Sequence, residues 1–166
     1  MKLTFGFSRS KSCQPLSLAI RLVEKRDYSH VYVKYQDEFT KDVMIFQASH
    51  GEVNLVSEEL FLQNSEVVEE YEMSVTAEVY LAIRKEMNKL LGVKYAFLQL
   101  LNITLQKLFK SKDIRLFENG DEQFICSELG YKILKMAYPE VVAHQDSLTP
   151  SDFNKVINAI GLKRTK

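Results

Sequence analysis

Ser29-His30-Val31-Tyr32-Val33-Lys34-Tyr35 is the stretch that decides the fold class. Its residues alternate, with Ser29, Val31 and Val33 on one face and His30, Tyr32 and Lys34 on the other. Its valines and tyrosines suit a strand. A polar turn, Gln36 to Asp42, leads to a second strand from Val43 to Ser49. His50 and Gly51 then make a tight connection into a third strand, Glu52 to Val56. Three consecutive runs joined this way predict an antiparallel meander.

Upstream of this core, Leu3 to Phe7 reads as a short strand and Ser8 to Ser12 as a polar turn. Pro15 to Arg26 reads as a helix with Leu16, Ile20 and Val23 at helical spacing, broken by Asp27 and Tyr28. Downstream, Ser57 caps one helical turn through Leu60, and Val67 to Val75 alternates as another strand. Thr76 opens a helix to Leu91, where Gly92 is a natural stop. Tyr95 to Phe109 is helical by pattern, and Ser111 to Gln123 is a charged loop. Helices are expected from Phe124 to Tyr138 and from Thr149 to Ile160. The predicted class is α+β: a small antiparallel sheet from the first half, with helices of the second half packed against it, in a single domain over 1–166.

Lysine plus arginine and aspartate plus glutamate each number 22, so the formal net charge is zero and gives no electrostatic reason to expect nucleic acid. Short basic clusters (Lys107, Lys110, Lys112; Lys163, Arg164, Lys166) read as solvated faces. The two cysteines, Cys13 and Cys126, are too few for a disulfide-dense scaffold. The start, MKLTFGFSRSKS, lacks the apolar stretch of a signal peptide, and no apolar run approaches the ~20 residues that span a bilayer. A cytoplasmic location is expected. The acidic run Glu66, Glu69, Glu70 and Glu72 reads as the exposed side of a strand. Phe97, Leu98, Leu101 and Leu105 read as core.

Phe124-Ile125-Cys126-Ser127-Glu128-Leu129 sets a cysteine at the first turn of a helix, after an irregular loop. Unpaired N–H groups and the positive end of the helix dipole favour thiolate there, and can receive an oxyanion. A buried cysteine behaving as a small hydrophobe fits the position as well. His30 stands on a rigid strand, a suitable mount for a base, although taken by itself a histidine hydrogen-bonded at a sheet edge is the preferred reading. His50, in a turn, and His144, in a loop, are expected to be exposed. The three histidines are too scattered for a zinc site, and no phosphate-cradling glycine loop is present, so no metal or cofactor is expected.

Six short pieces, in this order, carry a resemblance: Gly6-Phe7-Ser8, Tyr28-Ser29-His30-Val31, Ile45-Phe46-Gln47-Ala48, Gly92-Val93-Lys94-Tyr95, Phe124-Ile125-Cys126-Ser127-Glu128-Leu129 and Thr149-Pro150-Ser151-Asp152. Together they resemble the circularly permuted branch of the NlpC/P60 papain-like superfamily. That branch holds the YiiX-like proteins and is related to lecithin retinol acyltransferase. The resemblance implies Cys126 as nucleophile and His30 as general base. It puts Gln47 in the third polar position, where the family often has glutamate; an amide can orient the imidazole but gives it no full counter-charge. His50 is the second choice for that role. Tyr95 matches a tyrosine near the thiolate, and a core tyrosine is an equal reading. The implied activity is hydrolysis of an amide (a peptide or cell-wall-type isopeptide, such as a peptidoglycan fragment) through a thioester. Acyl transfer on a lipid ester, or peptide binding without turnover, are the alternatives. The pKa of the Cys126 thiol separates enzyme from binder.

Overall fold

A computed structural model describes residues 1–49, 51–94, 96–109, 124–141 and 149–166, with the side chains of 97–101 and 107 left out. The chain runs β1 (Lys2–Ser10), α1 (Pro15–Glu24), β2 (His30–Gln36), β3 (Val43–Ser49), β4 (Glu52–Ser57), α2 (Glu58–Asn64) and β5 (Ser65–Ser74). It continues through α3 (Ala77–Leu90), α4 (Phe97–Phe109), α5 (Cys126–Ala137), α6 (Pro150–Ala159) and β6 (Lys163–Arg164). The strands form one antiparallel sheet in the order β4-β3-β2-β1-β5-β6. The α+β reading and the β2-β3-β4 meander hold.

Four local expectations are corrected. Ser8 to Ser10 continue β1 rather than turning, because they pair with Val67, Glu66 and Ser65 of β5. The turn predicted after Ser57 extends to Asn64; its first N–H groups are met by Ser57 Oγ, which accepts from Leu60 N–H at 3.2 Å. The sheet also gains β6, a two-residue strand too short to leave a periodic signal. Finally, the acidic run is not a plain exposed face. Glu69 and Glu70 are half-buried and engaged on opposite sides of β5: Glu69 accepts from Asn154 and Tyr71, and Glu70 from Tyr32 and Lys34.

The alternation in β1, β2 and β3 gives the sheet two buried faces. On one, Leu3, Phe5, Phe7, Val31, Val33, Phe46 and Ala48 meet Ile83 and Met87 of α3, Leu129 and Ile133 of α5, and Phe153 of α6. Phe153 sits edge-on to Phe5 at 5.4 Å between ring centroids. On the other face, Tyr32 and Ile45 pack under Phe61 of α2. The Tyr32 ring lies against Gly6, its cross-strand partner, and a Cβ there would fall 1.9 Å from the ring. Only glycine lets the ring approach so closely.

Gly92, at φ 80°, ends α3 and turns the chain back along the sheet edge. Gly92 N–H donates to Val53 O, Val53 N–H donates to Val93 O, and Lys94 bridges Glu52. Phe124 N–H in turn donates to Lys94 O, and Ala96 N–H to Phe124 O. The segment before α5 is thereby laced to the β4 edge, which fixes where that helix begins.

Candidate active site

Cys126 is the first residue of α5; Phe124 and Ile125, expected in the helix, are extended instead. The Glu128 carboxylate turns back to accept the Ile125 N–H at 3.1 Å, closing the helix start. Cys126 belongs to the core cluster that also holds Val31 and Val33, and it is 1% exposed. Its sulfur faces the N–H of Val31, the residue after His30, and the N–H groups of Ser127 and of Cys126 itself. Burial nevertheless dominates, raising the thiol to about 11 against the pull of those three donors; Glu128 raises it further. The pull toward thiolate expected from the helix terminus is opposed here by burial. The N–H groups are in place, but desolvation outweighs them and pushes the thiol up.

His30 opens β2 and is half-buried, on the strand face opposite Val31. Its Nε2 lies 2.8 Å from Gln47 Oε1. Gln47 Nε2 donates to Asn54 Oδ1 at 3.3 Å, and Asn54 Nδ2 donates to Ser49 O at 2.9 Å. This relay fixes the amide orientation: with the Gln47 NH2 spent on Asn54, its oxygen faces the ring and accepts from Nε2–H. The tautomer that satisfies Gln47 carries its lone pair on Nδ1.

The sequence reading missed Asn54 as the residue that orients Gln47. Its signal was present, because antiparallel pairing of the run ending at Ser49 with the run starting at Glu52 sets Gln47 opposite Asn54. Tyr95, His50 and His144 lie outside the described residues, as does the charged loop over 111–123. Of the residues expected in the core of α4, Leu105 is half-buried, while the side chains of 97, 98 and 101 fall outside the description. Ala96 and Ile103, in the stretch considered as an acyl-binding wall, belong to a core cluster with Ile20 and Ile125. Cys13 is exposed, and neither cysteine is in a disulfide.

A groove of about 1160 Å³ opens on His30 and Gln47, between α1, the Ser8 end of β1, β4 and α2. Among the described residues no group of three His, Cys, Asp or Glu side chains gathers to hold a metal ion. No described helix is long and apolar enough to cross a membrane.

No protein-family profile matches the chain, and no curated protein matches it in sequence. In structure it is similar to a crystal structure of the metalloprotein YiiX from Escherichia coli O157:H7. The two share 19% identity at a TM-score of 0.57, over 96% of this chain and 81% of that one. At that identity the likeness shows the fold alone, a YiiX-like mixed α+β arrangement.

Proposed function

We propose that the chain is a cysteine hydrolase of the permuted NlpC/P60 type, working through a thioester on Cys126. The observation that carries this reading is the His30–Gln47 hydrogen bond at 2.8 Å, on the strand whose next N–H, that of Val31, meets the Cys126 sulfur. Gln47 holds the imidazole in one tautomer, with the Nδ1 lone pair as base. Because the thiol rests neutral, its proton moves to His30 Nδ1 as the sulfur attacks the substrate carbonyl carbon. Electrons of the C=O bond pass to oxygen, and N–H groups at the start of α5 stabilise that oxyanion. Collapse expels the amine or alcohol, which takes the proton from His30. Water then attacks the thioester, again giving a proton to His30, and the departing sulfur recovers it.

One observation favours a second reading. A thiol raised to about 11 and 1% exposed is what a binding protein without turnover would carry. Incubation with p-nitrophenyl acetate separates the two. Hydrolysis predicts a burst of p-nitrophenol and an acetyl adduct on the Cys126 peptide. Cys126→Ala should abolish both, and His30→Ala should slow turnover by about 10²-fold. An adduct confined to Cys13, or surviving in the Cys126→Ala variant, rejects the catalytic assignment.

A further inference from the structure

Ser8 sits directly across from His30 in the β1-β2 ladder, on the same face of the sheet. It is 1% exposed, and among the described residues its Oγ has no hydrogen-bond partner, although its backbone oxygen is used by Ser29 N–H at 3.0 Å. Beside it, pairing with β5 shifts register between Phe7 and Ser8, an irregularity of the kind that re-aims side chains. A buried hydroxyl without a partner is costly to maintain, and this one lines the groove that opens on His30 and Gln47.

The groove's chemistry is equally specific. Its described lining is serine hydroxyls, the amides of Gln14, Asn54 and Asn64, and apolar surface such as Leu16 and Phe61; His30 is its one titratable side chain. In a chain with 27% charged residues that is a marked exclusion. Among the described lining residues, an ammonium entering this groove would meet no opposite charge and a carboxylate none but a protonated His30. Resting on the hydrolase reading, we propose that the groove takes an uncharged acyl group, with the Ser8 hydroxyl donating a hydrogen bond to the substrate beside His30. Ser8 is then a specificity-determining residue.

Three p-nitrophenyl esters of equal chain length test this, each corrected for its uncatalysed rate: hexanoate, the adipate monoester and 6-aminohexanoate. The expected kcat/KM for hexanoate is at least ten-fold above both charged esters. Ser8→Ala should lower the hexanoate value about ten-fold while holding Tm at or above that of the parent chain, since it removes a hydroxyl that bonds to none of the described residues. Equal turnover of the three esters overturns the inference. So does a Ser8→Ala variant with unchanged kcat/KM, or one whose Tm falls, which marks the hydroxyl as structural. If no ester is turned over, the hydrolase reading fails, and hexanamide, hexanoate ion and hexylammonium are titrated against the chain while the His30 ring resonances are followed. Perturbation by hexanamide alone sustains the groove's selectivity; perturbation by all three alike, or by none, refutes it.

Discussion

Raising the pH is the perturbation that probes the Cys126 environment most directly. A thiol at its ordinary 9.0 is about 1% ionised at pH 7, whereas one held at about 11 is ionised to roughly 0.01%. The thiolate available for alkylation is therefore about 100-fold scarcer than in a small thiol standard. A more basic thiolate is intrinsically more nucleophilic, and a Brønsted slope near 0.45 returns roughly 8-fold over two pH units. The net expectation is alkylation of Cys126 by iodoacetamide about ten-fold slower than the standard at pH 7, and slower still because the sulfur is 1% exposed. The rate should climb about ten-fold per pH unit until it bends near 11. Peptide mass spectrometry reads Cys126 separately from the exposed Cys13. A rate that stays level between pH 5 and 8 would refute the reasoning. It would mean that a thiolate–imidazolium pair already exists at rest and that His30, not burial, sets the sulfur's charge. His30→Ala sharpens the comparison, because a neutral resting thiol predicts an unchanged alkylation profile in that variant.

Two further outcomes follow from the same geometry. A thiol in the unfolded chain loses its proton near 9.0 while the buried one keeps it to about 11. Over that window the unfolded state binds fewer protons, so stability falls as pH rises, by about 2.7 kcal/mol from this group. Subtracting the Cys126→Ala profile removes the parallel contributions of Tyr28, Tyr32 and Tyr35, all of which burial raises, and denaturant titrations from pH 8 to 11 supply both curves. Gly6→Ala would drive a Cβ into the Tyr32 ring, which is 2% exposed and anchored by its hydroxyl to Glu70 at 2.8 Å. A loss of about 1–3 kcal/mol is expected by urea unfolding, with part of it restored when Tyr32→Leu is added; an unaffected Gly6→Ala chain would contradict the packing.

Much of this architecture was legible because two periodicities govern it. Strict alternation at Val31-Tyr32-Val33-Lys34 gave both the strand and the correct division of its faces, since β2 is buried on both sides by different partners. Hydroxyl caps at Ser57, Thr76 and Thr149 marked helix starts that the structure confirms by their N–H bonds. What failed was what pairing decides rather than composition. Ser8 to Ser10 carry turn residues, yet they are held extended because β5 lies alongside them. Phe124 and Ile125 look helical, but Phe124 is held straight by bonding to Lys94 and Ala96, and the Ile125 N–H is taken by the Glu128 carboxylate. Glu69 and Glu70 read as solvated until partners remote in sequence, Asn154 and Lys34, arrive beside them.

The same distinction explains the candidate site. Gln47 was visible as a position, since antiparallel pairing within the meander sets its register against Asn54 and its diagonal approach to His30. The state of the Cys126 thiol was not visible, because it depends on how much apolar surface covers the sulfur rather than on which element carries it. Three N–H donors and a helix start all favour the thiolate, and they lose to desolvation. That outcome shapes the chemistry proposed here. A neutral amide at position 47 gives no full charge to stabilise an imidazolium, so a site built with Gln47 gains little from storing an ion pair at rest. A covered thiol and an uncharged orienting group are consistent with each other: in the proposed reaction both keep the site neutral until a substrate carbonyl accepts the developing charge.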